Sequence, residues 1–210
     1  MKFSLINPDD EYVSFEGMKF RLTLYFDRVL AMQNIINDEC LETSDAEKIA
    51  LFLICEGAEK LEDGQFGRLL DQIYSDYLKS EDENSDSGER IFDFEQDAEY
   101  IFSSFLMDYG INLKEQKGKL LWCDFIALFK GLSEKTKMRE VMSIRARKLP
   151  ASTKYNQEEI RALTELKQFY ALKGDTKRKK VSFSEGLAGL AEVLKHNAVI
   201  KGGMKKNAGK

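Results

Sequence analysis

Apolar residues recur at steps of three and four along most of the chain, and this spacing predicts helices. Between Asp93 and Gly110 the apolar positions fall on one helical face: Phe94, Ala98, Ile101, Phe102, Phe105, Leu106 and Tyr109. Asp93 is suited to accept hydrogen bonds from the first free amides, with Gln96 three residues later to reach back. Gly110 follows the last apolar position, where a left-handed closing residue costs least. The pattern therefore predicts one capped helix over this stretch.

Two more apolar stripes follow. The first contains Leu121, Trp122, Phe125, Leu128, Phe129 and Leu132. The second begins with Met138, Val141 and Met142, and its opposite face is basic, with Lys135, Lys137, Arg139, Arg145, Arg147 and Lys148. Nine of the 23 aromatic residues lie between Phe92 and Phe129, so the densest packing material is here. Residues 93–147 are therefore predicted to form an aromatic helical core, made of a helical hairpin and one more helix.

The N-terminal part of the chain predicts a hairpin followed by three helices. Residues 12–22 contain two short runs of strand-forming residues around Glu16 and Gly17, a pair suited to a tight turn, so a small β-hairpin is expected. Helices are predicted over residues 24–37, 46–55 and 65–78. Ser44, with Glu47 three residues later, predicts a capping box for the second helix.

The rest of the chain predicts a loop, a helix and a tail. Residues 80–90 are acidic and rich in serine, which predicts a mobile loop. Residues 156–172 predict a helix with Asn156 as its cap. The predicted fold class is mostly α: a compact single domain over residues 1–172, with a basic C-terminal extension over residues 173–210.

The extension contains a second apolar pattern. Its members are Phe183, Leu187, Leu190, Ala191 and Leu194, which share one face of a short amphipathic helix. A helix of this length is unstable alone because helix nucleation is costly. The two outcomes left open are folding on a partner and remaining partly disordered.

Charge is unevenly distributed along the chain. Residues 1–100 hold 25 acidic and 9 basic side chains, whereas residues 101–210 hold 11 acidic and 23 basic ones. This asymmetry favours partners selected by charge, or head-to-tail self-association. Folding of the acidic half against the basic half explains it equally well.

Residues with catalytic or metal-binding patterns are missing from the sequence. No glycine-rich phosphate loop is present, and the single histidine, His196, provides no Ser-His-Asp or Cys-His set. Cys40, Cys55 and Cys123 are too widely spaced for a zinc site and are predicted to be reduced core residues. We therefore expect a protein that is not an enzyme and binds no cofactor or metal. No membrane segment or signal peptide is predicted.

Nucleic-acid binding is an alternative that rests on the basic tail. Its basic cluster comprises Lys177, Arg178, Lys179 and Lys180. These side chains are suited to neutralise phosphates, but no aromatic residues interleave with them to stack on bases, and the overall pI is acidic. The pattern is generic, so nucleic acid is the less favoured partner.

The order of residues in the central stretch resembles a small protein family of tailed phages and prophages of Gram-positive bacteria. The match is carried by Asp97, Tyr100, Ile101, Phe105, Tyr109, Gly110, Leu113, Trp122, Phe125, Leu128, Leu132, Met142 and Arg145. The resemblance extends over roughly residues 10–172. Members of that family are encoded between the major tail tube protein and the tape measure protein.

The resemblance implies a tail assembly chaperone, which coats the long, aggregation-prone, helical tape measure protein until tube subunits polymerise around it. It also implies that the protein acts in the host bacterial cytoplasm and is not part of the mature virion. The tail tube protein is a second candidate partner, and self-association into a homo-oligomer is expected because many copies would coat a long client. A permanent structural role in the tail is an alternative.

A chaperone for a helical client needs an apolar groove with a charged rim. The candidate partner-binding residues are Tyr100, Tyr109, Trp122, Phe129, Arg139, Arg145, Arg147, Lys177, Arg178, Lys179 and Lys180. Core packing is the competing interpretation for each of the aromatic residues.

Overall fold

The computed structural model describes residues 12–78 and 90–173, and within these ranges it is mostly α-helical with a small antiparallel sheet. This confirms the predicted fold class. The described residues form two compact units: one contains 12–78 and Leu113–Phe129, the other 90–112 and 130–173. That residues 1–172 fold as one domain stays a prediction. The acidic loop 80–90 and the tail 173–210 lie outside the described residues, apart from Arg90 and Lys173.

The sheet confirms the hairpin that the sequence predicts over residues 12–22. Strand β1 (Tyr12–Phe15) pairs antiparallel with β2 (Met18–Leu22), and a short third strand, β3 (Cys55–Glu56), pairs with β2. The two turn residues, Glu16 and Gly17, both have positive φ angles, 48° and 80°. Two positive φ angles are required by the type I′ turn that matches the twist of paired strands.

Three helices follow the hairpin in the first unit: α1 (Phe26–Ile36), α2 (Thr43–Ile54) and α3 (Phe66–Ile73), the last continued by a π-helical turn over Tyr74–Leu78. Their existence was predicted, because each buries apolar residues at helical spacing. The start of α2 was predicted wrongly. The helix begins at Thr43 with Glu42 in the N-cap position, so Ser44 is not the cap. Glu47 lies against Gly67 of α3 instead of reaching back, and the oxygens of its carboxylate fill the space that a Cβ atom would need.

Helix α5 (Trp122–Gly131) begins in the first unit, and its start is joined to the start of α1. The amide of Phe26 donates to the Leu120 carbonyl at 3.0 Å, and the amide of Trp122 donates to the Leu24 carbonyl at 2.8 Å. The rings of Phe26 and Phe125 stack with centroids 5.1 Å apart. The predicted aromatic core of residues 93–147 is thus divided between the two units, since residues 113–129 belong to the first.

The second unit contains α4 (Ala98–Tyr109), α6 (Lys137–Ala146) and α7 (Gln157–Phe169). A buried serine joins α4 to α6: the Ser104 hydroxyl donates to the Tyr100 carbonyl at 2.6 Å and accepts from the Met138 amide at 3.0 Å. Met138 lies in the first turn of α6, where backbone amides have no partner within the helix. A side chain of α4 therefore satisfies the start of α6.

The buried face of α4 differs from the predicted stripe. Ile101 and Phe105 are buried as expected, but Ala98 and Leu106 are exposed, and Ser104 takes a core position. Helix α4 also begins later than predicted, because residues 94–97 form a separate turn in which Asp93 accepts hydrogen bonds from the amides of residues 95 and 96. Apolar spacing alone does not predict this buried face, because the face includes polar residues that are buried together with their hydrogen-bond partners.

Two smaller differences concern Asn156 and Cys40. Asn156 occupies the N-cap position of α7, but its side-chain oxygen accepts from the Thr153 amide and not from a helix amide. Cys55 and Cys123 are buried as predicted, whereas Cys40 is exposed in the loop after α1, so its predicted core position was wrong. Asp38 and Glu39, which precede Cys40, are exposed as well, and the Cys40 amide donates to the Asp38 carboxylate at 2.9 Å.

Gly110 ends α4 with a φ angle of 67°, as the sequence predicts. Because no atom lies within 4 Å of the position of an added Cβ atom, substitution there tests backbone conformation alone. We expect Gly110→Ala to lower the free energy of unfolding by about 1 kcal/mol. Gly110→Asn should lose less, since asparagine tolerates this conformation. Urea unfolding of both variants measures the difference, and equal losses in the free energy of unfolding would contradict a left-handed conformation at Gly110.

The three cysteines should differ sharply in reactivity. Burial, with Glu59 and Glu56 adding to it, raises the pKa of the Cys55 thiol to about 11, so its reactive thiolate is scarce at pH 8. Cys123 is buried as well. A thiol reagent at pH 8 should modify Cys40 rapidly in the folded protein and the other two only after unfolding. Rapid modification of Cys55 in the folded state would contradict its buried position.

Candidate protein-binding surface

A buried ion pair links the start of α4 to the end of α6 in the second unit. The guanidinium of Arg145 donates two hydrogen bonds to the carboxylate of Asp97, at 2.6 and 2.8 Å. The side chains are only 9% and 1% exposed, respectively. A planar guanidinium matches a carboxylate in this two-bond arrangement, which fixes direction as well as distance.

The same pair also binds backbone groups of two other segments, residues 91–93 and the end of α7. Arg145 donates to the carbonyl of Ile91 at 3.0 Å and to the carbonyl of Tyr170 at 2.6 Å. Asp97 accepts from the Asp93 amide at 2.9 Å. Lys167 of α7 donates to the backbone carbonyl of Arg145 at 2.5 Å. The C-terminal end of α7 is therefore fixed against α4 and α6 mainly by polar contacts.

Three aromatic rings meet where α7 ends. Tyr170 packs edge-to-face against Tyr100 of α4, with centroids 6.1 Å apart, and against Phe169, with centroids 4.8 Å apart. Phe169 is 76% exposed. The ammonium of Lys137 lies 4.9 Å from the centroid of the Tyr170 ring and 2.8 Å from its hydroxyl. That hydrogen bond, together with Glu140, raises the pKa of Lys137, which favours its charged form beside the rings.

Further large apolar side chains are exposed on both helices. Met107, which is 62% exposed, follows Tyr100 by seven residues and so shares its face of α4, about 10 Å further along the axis. Leu166, also exposed, precedes Phe169 by three residues on α7. We call Tyr100, Met107, Leu166, Phe169 and Tyr170 the α4–α7 strip. Within it, the contacts of Tyr170 bring the rings of Tyr100 and Phe169 together, and Met107 and Leu166 are exposed on the same two helices. Large exposed apolar side chains are typical of sites where a protein partner docks.

The strip exists because α7 is shallowly packed. Of its 13 residues only Leu163 is buried. Lys167 and Tyr170 follow Leu163 at helical spacing and contact α6 and α4, respectively. Leu166 and Phe169 are exposed to solvent. Met107, Leu166, Phe169 and Tyr170 are not among the partner-binding residues that the sequence predicts. The only indication in the sequence is that Phe169 falls off the face that contains Leu163.

The structure brings few of the predicted partner-binding residues to this surface. Tyr100 belongs to the strip. Arg139 is half-buried on α6, and Arg147 is exposed just after that helix. Arg145 is enclosed in its ion pair, so it does not form part of a charged rim. The basic cluster from Lys177 to Lys180 lies outside the described residues.

The other predicted aromatic residues pack internally. Trp122 and Phe129 are buried in the first unit, where both stack with Phe125. Tyr109 is half-buried against Phe105, and burial, with Asp108 adding to it, raises the pKa of its hydroxyl. A partner-binding role for these residues stays a prediction.

The described residues contain no group of three or more His, Cys, Asp or Glu side chains placed to hold a metal ion. Within the same residues, no helix combines the length and the apolar content needed to cross a membrane.

Comparison with protein families gives a match over most of the chain. The model of the family described as Bacteriophage Gp15 protein matches residues 9–172, which include every described residue except Lys173. Comparisons with curated proteins and with solved structures give no match.

Arg145→Met should lower the free energy of unfolding by about 3 to 5 kcal/mol, because it leaves the carboxylate of Asp97 buried without its cation. Urea unfolding followed by circular dichroism measures the change. Arg161→Met is the matched control: Arg161 pairs with Glu165 at 3.0 Å on the exposed side of α7, and such pairs contribute about 0.5 kcal/mol. Equal losses in the free energy of unfolding would show that the buried pair contributes no more to stability than an exposed pair does.

Proposed function

Because the chain belongs to the Bacteriophage Gp15 protein family, we propose that it is a non-enzymatic tail assembly chaperone that binds the tape measure protein. Family membership supports a role in a phage. The observation that supports protein binding is the α4–α7 strip, where large apolar side chains stand exposed beside rings packed in fixed positions.

The spacing of the strip suits a helical client. An amphipathic helix docks through residues at positions i, i+3 or i+4, and i+7, which span about two turns. Tyr100 and Met107 are themselves seven residues apart on α4, so the strip offers a surface of about the same length. A long helical client such as the tape measure protein would present many such two-turn segments.

The composition of the strip also suits a client with varied segments. Tyr100 and Phe169 each have few rotatable bonds and touch Tyr170, so little conformational entropy is lost when a partner covers them. Met107 is unbranched and polarizable, and adapts to partners of different shape. Lys137, beside the rings, supplies a charge that orients a client more than it adds affinity.

Weak and repeated binding fits the proposed task. The strip is small, and small interfaces belong to transient complexes that dissociate readily. Tube subunits would then displace the chaperone as they polymerise, and many copies along one client would compensate for weak individual contacts. In this proposal the protein acts in the host cytoplasm, self-associates along its client, contacts the tail tube protein during the exchange, and is not part of the mature virion.

Substitution of Phe169 by serine should weaken client binding at least tenfold, because loss of an aromatic residue near the centre of an interface costs about 2 kcal/mol or more. The measurement is co-expression of the tagged chain with the tape measure protein of the same phage. Recovery of the complex and the soluble fraction of the client are then compared between wild type and variant.

Tyr155→Ser is the matched control, since Tyr155 is a large, exposed side chain of the same unit in the loop before α7. It should bind the client as well as wild type does. A wild-type chain that neither co-purifies with the client nor keeps it soluble would refute the proposal.

Mass spectrometry of purified phage particles should find no copy of the chain, and a stoichiometric amount there would favour a permanent structural role.

A further inference from the structure

The described chain ends at a defined place beside the α4–α7 strip. The Lys173 amide donates to the side-chain oxygen of Gln96 at 2.7 Å, and the Gln96 side-chain nitrogen donates to the Lys173 carbonyl at 3.1 Å. Gln96 belongs to the turn before α4, and Lys173 follows Tyr170 of the strip by three residues. The last described residue is therefore fixed to the turn before α4, close to the rings at the end of α7.

The sequence of residues 174–210 contains an apolar stripe of its own. Phe183, Leu187, Leu190 and Leu194 recur at steps of four, three and four, which is the pattern of one helical face. A helix with such a face fills the same kind of groove as the helical client of the proposed function.

The connecting chain is long enough for this contact. Phe183 follows Lys173 by ten residues, a length that spans at most about 33 to 36 Å. The strip itself extends only about 10 Å along α4 from Tyr100 to Met107. A segment tethered this closely is present at an effective concentration in the millimolar range, so a weak contact would be well populated.

We propose that segment 183–194 docks as an amphipathic helix on the α4–α7 strip of its own chain and occupies the strip until a client helix displaces it. The displacement rests on the proposed function, whereas the intramolecular contact does not. Occupancy by the segment would lower the apparent affinity for the client by the fraction of chains with an open strip. It would also cover the exposed rings before a client is present, which limits aggregation.

Hydrogen exchange of the full-length chain without any client tests the contact. The amides of residues 187–194 should exchange at least about tenfold more slowly than an unstructured segment does. The double variant Phe169→Ser, Met107→Ser should abolish this protection, and Tyr155→Ser should leave it unchanged. Protection should be the same at low and high protein concentration, because the contact lies within one chain.

Three results would overturn the proposal: exchange of residues 187–194 at unprotected rates in wild type, protection that survives the double substitution, or protection that appears only at high concentration. The last would assign the segment to a second copy.

Client binding then tests the displacement. The double variant Leu187→Ser, Leu190→Ser should bind the tape measure protein more tightly than wild type does, because the segment no longer competes for the strip. A client that binds no variant would refute the proposed function and leave the exchange result standing.

Discussion

The ion pair between Arg145 and Asp97 is the contact on which the second unit depends. It joins α6 to the start of α4, and the same guanidinium binds the carbonyls of Ile91 and Tyr170. Moving two charges out of water is costly, so such a pair adds little net stability compared with apolar packing. Its effect is on geometry, since two parallel hydrogen bonds permit only one arrangement of these segments.

The exposed strip is a consequence of this arrangement. Helix α7 buries one residue, so apolar packing alone would not hold its C-terminal end beside α4. Arg145 and Lys167 hold it there through backbone carbonyls, and Phe169 is left outside while Tyr170 packs on Tyr100. A polar ion pair inside the unit thus positions an apolar surface outside it, and this is the surface that the proposed binding of a helical client would use.

Most of the helices and the hairpin could be predicted because each buries apolar residues at a regular spacing or has an unambiguous turn. Glu16-Gly17 and Gly110 are examples in which local backbone conformation decides the outcome. The predictions failed where a polar residue is buried with its partners. Asp97, Ser104 and Arg145 are hydrogen-bonded across distant segments, and their spacing in the sequence gives no indication of that. Phe169 was missed because exposure depends on how deeply α7 packs, a property that apolar spacing does not determine.

The central claim is that the α4–α7 strip contacts the tape measure protein. A photoreactive phenylalanine analogue placed at position 169 tests it most directly, in cells that express the tail proteins. We expect a crosslink to the tape measure protein from position 169, and none from the same analogue at position 155, which is also exposed. Equal crosslinking from both positions, or none to the tape measure protein from position 169, would contradict it.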